Sequence, residues 1–150
     1  GAEVVAADID ARKLEACQAL ANKLGLADRV TTKVAEGSDA SLDLGAFDRV
    51  LVDAPCTGLG TLRRHPEIAW RRRPEDVPRM AELQGQLLAT GARHVAPGGL
   101  LIYAVCTFTK AEGAPEALKG FTHVASLATR PSEDLDAFQA TVWRRDQTIE

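Results

Sequence analysis

The chain has 150 residues, 45% of them hydrophobic and 26% charged, with a net charge of −3. This is one domain's worth of ordinary globular composition, and it excludes a polycation that coats nucleic acid as a whole; any such contact needs a local patch. No apolar run is long enough to span a bilayer, no signal-peptide pattern is visible, and Cys17, Cys56 and Cys106 form no C-x-x-C pair, which argues against a zinc ribbon or disulfide scaffold and for a reducing, cytoplasmic setting.

Val4-Val5-Ala6-Ala7 reads as a strand that ends at Asp8. Asp10 is a helix N-cap, with Leu14, Cys17, Ala21 and Leu24 on one face and Gly25 as the stop. Cys17 on that face is a small buried helix residue. A second strand covers residues 29–34 and ends near Glu36-Gly37, and a third runs from Arg49 through Val50, Leu51 and Val52 to Asp53. Such an apolar run fits a parallel strand covered on both faces. Asp53-Ala-Pro-Cys56 then leaves the strand, because the proline removes a backbone donor, and Thr57, Gly58 and Gly60 make a loop able to approach a ligand.

Arg63, Arg64, Arg71, Arg72 and Arg73 follow, with only Glu67 against them; arginine forks suit phosphate oxygens, and Trp70 can stack on a base or anchor the segment. His65, between an arginine and a proline, fits a solvated or phosphate-facing role better than a Cys-His hydrolase. A helix is predicted over residues 75–96, with Met80, Leu83, Leu87, Leu88 and Val95 buried, broken by Pro97-Gly98-Gly99. Leu100 to Val105 is a strand ending at Cys106, a short helix follows over residues 110–119, and residues 123–127 and 138–143 form an antiparallel pair at a sheet edge.

Alternating strands and helices predict an open, doubly wound, mostly parallel α/β sheet, in which ligands sit beyond the carboxyl ends of the strands. Asp8, Glu36, Asp53, Cys56 and Cys106 all take that position, expected along one edge of a single sheet. An acid such as Asp8 can accept both ribose hydroxyls of a nucleoside cofactor, or merely cap a loop. The two strand-end cysteines converge if their strands are neighbours; the alternatives are a buried apolar thiol or a disulfide, and a nucleophilic role needs something that favours the thiolate.

These stretches carry a family resemblance. D53-A-P-C-T-G-L-G-T-L-R-R-H-P-E-I-A-W-R-R72 resembles the fourth motif of the Nop/Sun (Fmu) RNA cytosine-C5 methyltransferases. L101-I-Y-A-V-C-T-F-T109 resembles the sixth motif, with Ala104-Val105 departing mildly from its usual form. V4-V-A-A-D-I-D10 resembles the second motif, A35-E-G37 stands where the family has an acid before glycine, and F138-Q-A-T-V-W-R-R145 is similar to its last strand.

The resemblance implies a Rossmann-like, S-adenosylmethionine-dependent methyltransferase fold acting on cytosine C5 in RNA, ribosomal RNA foremost. It implies Cys106 as the nucleophile on ring C6, Asp53 at base N3, and Cys56 in removal of the C5 proton and product release. It further implies Asp8 on the cofactor ribose, Glu36 near the adenine, Asp53 also on the cofactor side, and Arg63, Arg64, His65, Arg71 and Arg72 on RNA, with no metal. Family members place a glycine-rich first motif before the second, and an RNA-binding extension before that. Both are absent here, so the chain is expected to be the C-terminal part of one catalytic domain, with its first strand missing and no activity alone. A DNA cytosine-C5 methyltransferase is the alternative enzyme, disfavoured because it places its nucleophile in the Pro-Cys and needs no second strand-end cysteine; a non-catalytic RNA-binding module is the other.

Overall fold

The computed structural model describes residues 1–147 apart from Glu116 and Glu133. The chain forms two compact units, Gly1–Leu42 and Asp43–Glu150.

The first unit is a strand–helix–strand. β1 (Val4–Asp8) and β2 (Val30–Val34) pair in parallel, from Val4 opposite Val30 to Asp8 opposite Val34, and α1 (Ala11–Lys23) connects them. The Asp10 side chain caps α1 by accepting from the Arg12 amide at 3.0 Å. At its other end the Gly25 amide bonds Asn22 O and the Leu26 amide bonds Ala21 O, with Gly25 at φ 69°. This is a Schellman turn, and its left-handed position explains the glycine. Leu14 and Ala21 are buried as expected, but Leu24 is 62% exposed, because a two-stranded sheet covers only a short stripe of the helix.

The second unit holds a four-stranded sheet in the order β3-β4-β6-β5, from β3 (Phe47–Asp53), β4 (Val95–Val105), β5 (Phe121–Ala128) and β6 (Gln139–Arg145). β3 and β4 are parallel, whereas β6 runs antiparallel to both β4 and β5. The antiparallel edge pair is as expected. The single sheet is not: β1–β2 and the four-stranded sheet are separate, so Asp8 does not share a sheet with Asp53 and the two cysteines.

α2 (Ile68–Arg71) is one turn, and α3 (Asp76–Arg93) packs on β3 and β4. The close approach needs Gly91, where a Cβ would lie 2.5 Å from Val52 Cγ2. Leu88, Val95, Leu101, Tyr103, Val105 and Trp143 form the core, with Val50 and Val52 against it. α3 covers only that face of β3, so Leu51, expected to be buried, is 64% exposed.

Two element boundaries differ from expectation. α3 ends at Arg93, and Val95 already belongs to β4. Pro97-Gly98-Gly99 is therefore not the helix stop but a bulge inside β4, where the register jumps from Phe47–Val95 to Arg49–Leu100 and Gly98 takes φ 75°. The helix stop is set instead by His94. Its Nε2 accepts from the Leu44 amide at 3.0 Å, which places the ring proton on Nδ1, donating to Thr90 O at 2.9 Å. The helix expected over residues 110–119 is absent among the described residues, which form turns. Gly113, Pro115 and Gly120 all oppose a helix there, and Glu112 turns inward instead.

Candidate active site

The carboxyl ends of β3 and β4 lie side by side, with Asp53 opposite Ala104, so the residues just beyond them share one locus. The Ala54 amide donates to Ala104 O at 3.0 Å, which carries the β3 chain across before Pro55 ends the ladder. Cys56 Sγ and Cys106 Sγ then stand 3.0 Å apart, and both are free thiols, half-buried. The disulfide alternative is not what the chain forms, and neither sulfur is lost in the core.

The loop bearing Cys56 is braced on every side. Gln84 Nε2 donates to Pro55 O at 2.8 Å, while Arg72 donates through Nε to Thr57 O at 2.8 Å and through a terminal nitrogen to Cys56 O at 3.4 Å. The Gly60 amide bonds Cys106 O at 3.1 Å and its carbonyl accepts from the Ala137 amide at 2.9 Å. A Cβ at Gly60 would stand 2.1 Å from Ala137 O and 2.8 Å from Cys106 O, so only glycine fits. Gly58 at φ 76° supplies the left-handed turn between.

Two thiols this close share a proton, since two thiolates would repel. The Cys56 hydrogen bond is the largest influence on Cys106 and lowers it to about 7, against burial and the charges of Asp53 and Glu112. Cys56 is pushed up, first by that same hydrogen bond and then by burial. The pair therefore presents a Cys106 thiolate held by a Cys56 thiol near neutral pH.

Beneath the pair lies a residue that the sequence reading passed over. Glu112 is 0% exposed. Its Oε1 accepts from the Thr57 amide at 2.6 Å and Gln84 Nε2 at 3.3 Å; its Oε2 accepts from the hydroxyls of Thr57 at 2.6 Å, Thr109 at 2.7 Å and Thr107 at 3.2 Å. Tyr103 donates its hydroxyl to the Glu112 carbonyl at 2.9 Å. Burial raises the Glu112 carboxyl, but the hydrogen bonds from Thr57, Thr109 and Thr107 outweigh it and the net shift is downward. The available signal was the run of threonines flanking both cysteines with an acid six residues after the second, inside a segment assigned to a helix.

The remaining candidates are distributed as follows. In the first unit, Asp8 Oδ1 accepts from the Asp10 amide at 2.8 Å and Oδ2 pairs with Lys13 at 3.3 Å. The backbone hydrogen bond from Asp10 is the main reason its pKa is lowered. Glu36 Oε1 accepts from the amide and hydroxyl of Ser38. In the second unit, Arg64 and Arg63 both face Asp136, at 2.5 and 3.6 Å, and His65 faces Glu67 at 3.4 Å. Arg71 and Arg73 are exposed, and Trp70, 90% exposed, does not anchor the segment. No group of three or more metal-binding side chains occurs among the described residues, and no described helix is long and apolar enough to cross a membrane.

The family model of the 16S rRNA methyltransferases RsmB/F matches residues 1–143. The chain belongs to this family. Among RsmB/F relatives, the ribosomal RNA small subunit methyltransferase B of Thermus thermophilus is 46% identical over 118 residues, 75% of this chain and 27% of that protein. Its counterpart from Escherichia fergusonii is 43% identical over 108 residues, 71% of this chain and 25% of that one. The chain thus spans about a quarter of the length of these curated relatives. Among solved structures, PH0851 superposes with a TM-score of 0.83 at 27% identity, over 95% of this chain and 37% of that one. NSun6 from Pyrococcus horikoshii, solved with SFG, gives 0.77 at 20% identity, over 95% and 41%. The fold is the Rossmann-like methyltransferase fold.

Proposed function

We propose that this chain is the C-terminal part of the catalytic domain of an S-adenosylmethionine-dependent RNA methyltransferase acting on cytosine C5, with ribosomal RNA as substrate. The observation that carries the proposal is the pair of free sulfurs 3.0 Å apart beyond neighbouring parallel strands. A DNA-type enzyme needs only the cysteine of the Pro-Cys; the second sulfur is explained by a two-cysteine reaction.

Cytosine C5 is a poor nucleophile, and thiolate addition at C6 makes it a good one. Cys106 Sγ forms that bond, and the displaced ring electrons are accommodated at N3, which takes a proton from Asp53 in its carboxylic-acid form and returns it once C5 has been methylated. S-adenosylmethionine supplies an electrophilic methyl group to C5. Once Cys106 is a thioether it carries no charge and no longer accepts the Cys56 hydrogen bond, so two of the causes that keep Cys56 protonated are gone; Cys56 releases its proton to solvent and the resulting thiolate serves as the base. Cys56 takes the C5 proton, the C–H electron pair re-forms the C5–C6 double bond, and the C6–S bond breaks to return the Cys106 thiolate.

Asp8 fits the cofactor: a carboxylate at a strand's carboxyl end, kept ionised by its hydrogen bonds, suits ribose hydroxyls. Glu36 lies beyond β2 and would face the adenine. Exposed Arg71, with Arg63, Arg64 and His65, would meet RNA phosphates, and Trp70 would stack on a base. Arg72 holds the two loop carbonyls with two of its five N–H groups and is left with the others for RNA phosphate.

The test is incubation of the protein at its natural length with ribosomal RNA and methyl-labelled S-adenosylmethionine, then nucleoside mass spectrometry. Labelled 5-methylcytidine is expected. Label confined to another nucleoside would defeat the proposal.

A further inference from the structure

Glu112 is a buried anion in a loop, with no ion pair among the described residues and five hydrogen bonds converging on it. Buried carboxylates without a cation are retained only where their donors are fully committed. Here the donors are not scattered. Thr57 follows Cys56 directly and gives both its amide and its hydroxyl; Thr107 follows Cys106 directly and gives its hydroxyl. Gln84 bonds Glu112 with the same nitrogen that holds Pro55 O, on the other side of Cys56. One carboxylate therefore ties the residue that follows each sulfur, through the backbone amide and hydroxyl of Thr57 and the hydroxyl of Thr107.

We propose that Glu112 is the positioning residue of the cysteine pair: it sets the sulfur–sulfur distance and thereby which thiol ionises. The inference deepens the proposed function, resting on Cys106 as the nucleophile. Glu112 acts through Thr57 and Thr107 and does not touch the base. Its charge by itself opposes the Cys106 thiolate, as does that of Asp53. What it contributes is geometry, holding Cys56 where it can donate to Cys106. The charged and titratable groups around the pair are Asp53, Glu112, Tyr103 and the Arg72 guanidinium.

These two effects separate under substitution. The partners of Oε1 are N–H groups that can only donate, whereas those of Oε2 are hydroxyls that can turn and accept. Glu112→Gln, with its oxygen in the first place and its NH2 in the second, keeps the clamp and removes the charge. Glu112→Ala removes both.

The experiment is iodoacetamide alkylation of Cys106, followed by peptide mass spectrometry across pH, on the wild type and both variants at natural length, with no RNA or cofactor. Methyl transfer to ribosomal RNA is measured alongside. The wild-type midpoint is expected at about 7. Glu112→Gln should move it down and keep methyl transfer within a few-fold. Glu112→Ala should move it up towards the ordinary thiol range, slowing alkylation at pH 7 by about tenfold, and lower kcat at least as much with KM for RNA unchanged. Midpoints that stay put, or that move the same way in both variants, overturn the proposal. If Glu112→Ala does not fold, Glu112→Gln alone decides, an unmoved or raised midpoint being the contrary result. A wild type that methylates no RNA refutes the proposed function but leaves the thiol titration to judge Glu112.

Discussion

At the scale of single residues, the proposed chemistry rests on an unequal division of one proton. Cys106 is lowered to about 7 and Cys56 is raised, so across neutral pH the first gains a charge while the second keeps its proton. The sign follows directly: below pH 7 Cys106 is a thiol and a weak nucleophile, and above it the thiolate predominates. Formation of the RNA adduct in a single turnover should rise about tenfold per unit below pH 7 and level off above it. Cys56→Ala removes the donor that holds the thiolate, so its profile should shift towards the ordinary value of about 8.5. A quench-flow pH series on the two proteins checks both statements. An unshifted profile would show that the pairing has no influence on ionisation.

At the scale of elements, the proposed function gives the loop between β3 and α3 two jobs that the sequence presents as one arginine-rich run. Arg71 and Arg72 are both exposed, and Arg72 is in addition bonded to the Cys56 and Thr57 carbonyls. Arg72→Ala should therefore lower kcat. Arg71→Ala should weaken binding and reduce the slope of log K against log salt by roughly one; filter binding at several salt concentrations measures it. Gly60→Ala should destabilise the second unit by about 1–3 kcal/mol in urea unfolding, because the atoms it meets are backbone and cannot rotate away.

The strands, α1 with both caps, and the convergence of the cysteines were legible, since apolar runs, Asp10, Gly25 and the parallel strand order all speak locally. The β4 bulge was not, because Pro-Gly-Gly after a helix reads equally as a stop and as a kink. Glu112 was not, because an acid among small residues reads as surface until five donors are found around it.

At the scale of the whole molecule, the parallel and antiparallel pairings follow the strand pattern, and the division into two sheets agrees with the missing first strand that the family resemblance implies; alternation by itself reveals strands, not which of them meet. In the first unit only Leu14 and Ala21 are buried among the hydrophobic residues of the described structure, whereas the second has a contiguous core under α3. Amide exchange should accordingly be slowest in β4 and β6, the interior strands, and much faster in α1, β1 and β2, as mass spectrometry would show. Equal protection in both units would contradict this difference in core.

The cysteine division of labour is most directly tested on a denaturing gel. The protein at natural length, as Cys56→Ala and as Cys106→Ala, is incubated with ribosomal RNA and S-adenosylmethionine at pH 8.5, where a lone thiol still ionises appreciably. The account predicts that Cys56→Ala methylates but accumulates a denaturant-resistant RNA complex, and that Cys106→Ala yields neither complex nor 5-methylcytidine. A complex formed by Cys106→Ala and none by Cys56→Ala would reverse the roles assigned to the two sulfurs.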